Sequence, residues 1–315
     1  MRKALVVGIN DYPTCPLAGC VNDAIEMQAV LERHSDGSPN FSVKKTLSTT
    51  ETITRSSLRG DIADLFSGDP DVALFFFAGH GFLNSFGGYI VTPDFERYDE
   101  GVSMDDILGA ANRSRARNRI IILDCCHSGN MGSPNITEGK LSELADGVTV
   151  LTACRSAESA SEEKGRGIFT SLLVDALQGG SADLVGHVSP GGVYAYVDRA
   201  LGPWAQRPVF KTNVSQFVSL RDVEPPIATT VLRKLTLYFS DPSEEVALDP
   251  TFEDTEEGYN PSNVSIMKDL QKMEGVGLIK PVGEEHMYYA AMNRKSCKLT
   301  ALGMQYWNLV QAGNI

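Results

Sequence analysis

Leu74-Phe75-Phe76-Phe77-Ala78-Gly79-His80-Gly81 is the stretch that decides the fold, and Ile120-Ile121-Ile122-Leu123-Asp124-Cys125-Cys126-His127-Ser128-Gly129 repeats its form. Each is a run of aromatic or branched residues that ends abruptly in small and polar ones. A strand with one face in water alternates in polarity, so an unbroken apolar run marks a strand covered on both faces. Residues 3–9 and 148–153 read the same way. Between these runs, residues 21–34 place Ala24, Met27 and Leu31 at helical spacing, and residues 53–66, 104–112 and 169–178 carry similar patterns. Buried strands alternating with helices predict an α/β fold, a doubly wound and mainly parallel sheet flanked by helices.

In such sheets, sites form at the carboxyl ends of the strands, where both quoted runs turn polar. A histidine between glycines can face a close-lying ligand, and a cysteine followed by Ser-Gly can sit on a sharp turn with its sulfur exposed. A thiol is a weak nucleophile until a neighbouring imidazole takes its proton. The pairing predicted is therefore His80 as base and Cys126 as nucleophile, with the backbone N–H groups of Gly81 and Cys126 as oxyanion donors. Each residue also has a plainer reading. Cys126 alone reads as an ordinary buried thiol. Cys125 points to the opposite strand face and is read as packing or a pocket wall. His127 competes as base, yet it directly follows the nucleophile and is badly placed to reach that sulfur. His34, His187 and His286 lack metal-ligand spacing and are read as structural or surface residues.

The rest of the composition bounds the function. The chain has 315 residues, 42% of them apolar, which allows two domains with substantial cores. With 28 basic against 40 acidic residues the net charge is -12, which repels phosphate backbones and argues against nucleic acid as a partner. No run of 18 or more apolar residues occurs, so no membrane partner is expected, and the amino-terminal residues lack a secretion signal. The 6 cysteines are irregularly spaced. They are read as reduced thiols, and the expected location is cytoplasmic.

A change of character follows Arg221, where Asp222-Val223-Glu224-Pro225-Pro226 combines charge with two prolines. The expected organisation is one domain over residues 1–222, a linker over 223–227 and a second domain over 228–315. Within the latter, residues 240–260 are strongly acidic and poor in periodic pattern, and part of them is expected to be a loop or a mobile insertion. Asn260-Pro261 is expected to cap a helix with Ile266, Leu270 and Met273 on one face, stopped by Gly275 and Gly277. Strands are expected near residues 278–282 and 286–292, then a helix opened by Thr300. Helix, hairpin and helix suggest a small α+β, winged-helix-like module. Such modules often read DNA, but residues 228–315 hold 8 Lys or Arg against 12 Asp or Glu, a net of -4, and lack a basic stripe.

Four segments taken together resemble the metacaspase branch of the caspase-like cysteine proteases. They are Leu5-Val6-Val7-Gly8-Ile9-Asn10-Asp11-Tyr12, Gly19-Cys20-Val21-Asn22-Asp23-Ala24, Ala78-Gly79-His80-Gly81 and Asp124-Cys125-Cys126-His127-Ser128-Gly129. The resemblance covers about residues 1–222 and includes Gly167-Ile168-Phe169-Thr170 and Arg207-Pro208-Val209-Phe210. It departs from the usual pattern at Ala78 and Cys125, where relatives often carry Ser, and Ser or Ala. It implies a Cys126–His80 dyad and an acidic substrate pocket lined by Asp23 and Asp124, hence cleavage of protein substrates after Arg or Lys. No cofactor is required for that chemistry. Calcium activates many relatives, and Asp94, Asp105 and Asp106 are candidate oxygen ligands, against the ordinary reading of solvated acidic loops. Self-cleavage at Arg155, Lys164 or Arg166 is compatible with their polar segment. Bacterial relatives in antiviral defence or programmed cell death often join the protease to a signal-receiving domain. That implies a small nucleotide or a partner protein as activator at residues 228–315. A reading of a different class also stands, a non-catalytic scaffold that assembles with partners through its second domain.

Overall fold

The computed structural model describes residues 1–96, 99–125, 143–153, 162–163, 166–202 and 207–315. They divide into two compact units, residues 1–182 with 187–224, and residues 183–186 with 225–315.

The first unit is built on a six-stranded sheet. Strands β1 (Arg2–Gly8), β2 (Ser42–Leu47), β3 (Val72–Ala78), β7 (Asn118–Asp124) and β8 (Val148–Thr152) run parallel in the order β8-β7-β3-β1-β2. Val209–Asn213 adds an antiparallel edge beside β8. A second, three-stranded antiparallel sheet of β4 (Gly81–Asn84), β5 (Gly87–Glu96) and β6 (Asp99–Ser103) follows β3 directly. Helices α1 (Cys20–Glu32), α4 (Ile168–Asp175) and α5 (Pro190–Leu201) and helices α2 (Arg55–Phe66) and α3 (Met104–Arg113) complete the unit. The expected doubly wound class is the observed one. Sequence patterning missed β2, whose burial is confined to its last two residues, and α5, which opens on Pro190-Gly191-Gly192.

Strand geometry divides the core into two faces, because successive side chains point opposite ways. Ala4, Val6, Leu74, Phe76, Ile120 and Ile122 join Ala24, Met27 and Leu31 of α1 and Phe169 and Leu173 of α4 in one cluster. Leu5, Val7, Phe75, Phe77, Ile121 and Leu123 join Leu58 and Ile62 of α2 and Ile107 and Ala111 of α3 in the other. Phe75, Phe76 and Phe77 are all fully buried, each contributing roughly 1.5–3 kcal/mol relative to exposure. Cover on both faces is why these runs show no alternation.

The second unit packs the helix Pro261–Gly275 and the helix Ala301–Gln311 with a three-stranded antiparallel sheet of Glu245–Ala247, Ser296–Leu299 and Ile279–Val282. Asn260 accepts the N–H of Ser262 at 2.9 Å, Pro261 opens the helix, and Thr300 accepts the N–H of Gly303 at 3.0 Å, as the caps read from sequence require. One expectation is corrected. Residues 286–292 are not a strand, since Met287–Met292 forms a helix that buries Met287, Ala290 and Ala291 and exposes Tyr288 and Tyr289. That burial spacing is helical. The pairing strand lies later, at Ser296–Leu299, so the order is helix, strand, helix, strand, helix. Within residues 240–260, Glu245–Ala247 pairs in the sheet and Leu248 and Phe252 are buried.

Candidate active site

His80 lies between β3 and β4, and its backbone is held from both sides. Gly79 donates its N–H to the carbonyl of Asp124 at 3.3 Å. A Cβ at Gly79 would stand 2.6 Å from the Tyr12 Oη and 2.7 Å from the Phe77 Cζ, so no larger residue fits. The Tyr12 phenol occupies that space, accepting the N–H of His80 at 3.0 Å and donating to the carbonyl of Val91 at 3.2 Å. Val91 returns its N–H to the His80 carbonyl at 2.9 Å. Burial pushes the Tyr12 phenol above its ordinary pKa, so it stays protonated and donates. The rings of Tyr12 and His80 lie 4.6 Å apart at 55°. His80 Nε2 is 2.7 Å from the carbonyl oxygen of Cys15. A carbonyl only accepts, so Nε2 carries the hydrogen and Nδ1 is the basic nitrogen of the neutral ring.

Against this histidine lies a cavity of about 310 Å³, walled mainly by Tyr12, Pro13, Phe82, Val91, Pro93 and Phe95. Gly81 opens β4 and also lines it. Phe82 and Phe95 meet edge to face with centroids 6.4 Å apart.

The acidic pair assembles beside the same strand ends. Asp124 closes β7 in register with Ala78 of β3, and His80 and Cys126 each follow that register pair by two residues in the sequence. Asp23 stands in the first turn of α1. Both are buried, at 3% and 7% exposure for Asp23 and Asp124. Gly167 donates its N–H to the Asp23 carboxylate at 3.1 and 3.3 Å, and Thr170 of α4 donates its hydroxyl to Asp124 Oδ2 at 2.6 Å. A Cβ on Gly167 would lie 2.5 Å from Asp124 Oδ2 and 3.1 Å from Asp23 Oδ2, so both carboxylates close on this glycine. Residues far apart in sequence thus meet at one point. Sequence reasoning missed Tyr12, Cys15, Gly167 and Thr170 as site residues. Tyr12, Gly167 and Thr170 lay inside segments quoted for the resemblance, whereas Cys15 acts through its carbonyl, which no side-chain pattern reports.

Other predicted residues fall elsewhere. Cys126, including its N–H, and His127 lie outside the described residues. Cys125 is buried in the core cluster on the α2 and α3 face, consistent with packing. Asp94 accepts the N–H of Arg55 through both oxygens at 3.1 Å, at the start of α2. Asp106 pairs with Arg59 at 3.3 Å. Burial, then Asp106 beside it, pushes the Asp105 carboxyl above its ordinary value. Among the described residues, no group of three or more His, Cys, Asp or Glu is arranged to hold a metal ion, so these aspartates are not brought together. His187 Nδ1 meets Asp222 Oδ1 at 2.8 Å, and the Asp222 N–H is donated to His34 Nδ1 at 2.9 Å, a structural use of both histidines. Arg155 and Lys164 lie outside the described residues, and Arg166 pairs with Glu163 in a two-residue antiparallel ladder. No helix among the described residues is long and apolar enough to cross a membrane.

A profile described as the caspase domain, Peptidase C14, matches residues 1–216. The chain belongs to the caspase family. Solved structures agree on the fold of this caspase domain. A crystal structure of a protein from Geobacter sulfurreducens is similar with a TM-score of 0.53 and 17% identity, covering 71% of this chain and 100% of that one. Caspase-1 from Spodoptera frugiperda is similar with a TM-score of 0.52 and 11% identity, covering 71% of this chain and 91% of that one. No curated protein matches the chain in sequence. A caspase domain has a protease-type function in general, and peptidases of this family act on protein substrates.

Proposed function

We propose that this caspase-family chain is a cysteine endopeptidase of the metacaspase type that cuts proteins after Arg or Lys. The observation that carries the reading is the convergence of Asp23 and Asp124 on Gly167, at the strand end that leads directly into Cys126. Two carboxylates in a poorly solvated cleft favour a guanidinium or ammonium and penalise an acidic side chain. Cys126 gives its proton to His80 Nδ1, and the thiolate attacks the peptide carbonyl. The N–H groups of Gly81 and Cys126 receive the oxyanion. The Cys15 carbonyl, bound to Nε2–H, orients the ring and favours the imidazolium that forms. His80 then gives the proton to the leaving amine, and water hydrolyses the thioester.

The second unit, with no basic stripe, is proposed to restrain the peptidase until a small nucleotide, a partner protein or calcium acts, in a cytoplasmic antiviral or cell-death role. Its deletion is then expected to change regulated activity. The decisive experiment uses reporter peptides ending in Arg, Lys or Asp, with and without these activators. Cleavage after Arg and Lys but not Asp is expected. Cys126→Ala or His80→Ala is expected to lower it by at least roughly a thousandfold. Cleavage retained in either variant overturns the dyad.

A further inference from the structure

We infer that the cavity beside His80 is a subsite for the substrate residue after the cut, selective for an aromatic or large aliphatic side chain. The inference rests on the peptidase reading of His80 and Cys126. Its first support is the division of the sheet into two faces. The acidic pair belongs to the face of α1 and α4, through Asp23, Gly167 and Thr170. The cavity belongs to the opposite face, where Tyr12, Ile90, Val91 and Val102 share the core cluster of α2 and α3. His80 stands at the strand ends between the two.

Its second support is the path of the proton. When the Cys126 sulfur has bonded to the substrate carbonyl carbon, the carbon–nitrogen bond breaks and the His80 proton passes to that nitrogen, which leaves as a free amine. Water then breaks the sulfur–carbon bond, giving the acid and restoring the thiol. The leaving nitrogen belongs to the residue after the cut, so that residue must lie against His80. With the preceding side chain directed to the acidic pair, its own side chain is directed to the other face and into the cavity.

The third support is chemical. Phe82, Phe95, Pro13, Pro93 and Val91 offer apolar area. Thr14, Cys15, His80 and Thr92 also line the cavity, but among the described lining residues none is Asp, Glu, Lys or Arg, so a charged side chain would lose hydration without a carboxylate, ammonium or guanidinium to pair with. Phe82 and Phe95 are 38% and 47% exposed, an apolar surface that a bound aromatic ring would cover in edge-to-face or stacked contact.

The experiment uses the full chain and peptides with Arg before the cut and Phe, Leu, Gly, Asp or Lys after it, with the cut site verified by mass spectrometry. Phe is expected to exceed Gly by roughly 10- to 100-fold in kcat/KM, with Asp and Lys poorest. Phe95→Ser and Phe82→Ala are expected to collapse that ratio towards one. Phe86→Ala, in the turn between β4 and β5 and outside the cavity lining, keeps it. A ratio measured on one preparation is independent of the folded fraction. Cleavage after Arg with equal rates for Phe and Gly, or a ratio unchanged in both cavity variants, overturns the subsite and leaves the peptidase reading intact. A second arm needs no turnover. Tetrapeptides beginning with Phe or Gly, the amine-side products, are titrated into Cys126→Ala while the amide resonances of His80 and Gly81 are followed. Binding at least roughly 10-fold tighter for the Phe peptide supports the aromatic selectivity of the cavity, and where no peptide is cut under any condition the same binding overturns its assignment to the residue after the cut. Equal binding overturns the subsite.

Discussion

Asp124 in the first unit and Asp269 in the second are both buried carboxylates, and the groups described around them differ. Asp269, 6% exposed on the helix Pro261–Gly275, accepts from Lys234 Nζ at 2.6 Å and from the Tyr238 hydroxyl at 2.7 Å. Burial opposes its ionisation, but those hydrogen bonds outweigh burial and hold the carboxyl below its ordinary value. Asp124 instead closes with a second carboxylate, Asp23, on a single glycine. A carboxylate matched to its own lysine is an internal brace. Asp124 also accepts from the Thr170 hydroxyl and Asp23 from the Gly167 N–H, and two carboxylates this close together attract a cation more strongly than either would alone. The same residue type is thus structural in one unit and a candidate for recognition in the other.

Substitutions can break that contrast. Asp23→Asn is expected to lower cleavage after Arg by roughly 100-fold, as loss of one partner of a desolvated charge pair does, while the melting temperature changes little. An equal loss in both would make Asp23 a brace like Asp269. Gly167→Ala forces a methyl against both carboxylates, and is expected to destabilise the full chain by about 1–3 kcal/mol and to weaken cleavage as well, read by denaturant titration and the peptide assay. Asp269→Asn should act on stability alone, by about 1–2 kcal/mol, seen as faster hydrogen exchange in residues 261–275. Its pH dependence has a definite sign. A carboxyl held low in the folded state stabilises fully above the unfolded value of about 3.9, and that contribution is lost as pH falls through the lower folded value. The variant's acid limb should therefore be flatter between those values than that of the unsubstituted chain. The smallest effect is expected for Tyr12→Phe, which removes the acceptor for the His80 N–H and costs about 1 kcal/mol, with kcat falling and KM for Arg peptides nearly unchanged. A rise in KM without a fall in kcat would place Tyr12 in substrate binding instead.

Much of the site's scaffold was legible because buried parallel strands are read directly from composition. Residues 72–78 coincide with β3, and residues 119–124 fall within β7. Their in-register pairing places His80 at the sheet end where Asp124 leads towards Cys126. Residues 286–292 differ from the expected strand because the helix Met287–Met292 is too short for its period to be distinguished from that of a strand. The contact order of the site explains the other omissions. Tyr12 and His80 are separated by 68 residues, and Asp23 and Gly167 by 144, so no local pattern reports that they touch.

The sequence alone determined the α/β class of the first unit and the residue types available for chemistry, because a strand covered on both faces and a His or Cys at its end are local properties. Tertiary structure alone decided which groups face one another. It set the Cys15 carbonyl against His80 Nε2, closed Asp23 and Asp124 on Gly167, and left the aromatic cavity on the far face of the sheet. The physical reason is that such contacts are made by strand register and by the packing of helices across a shared core, and neither is encoded within any one segment.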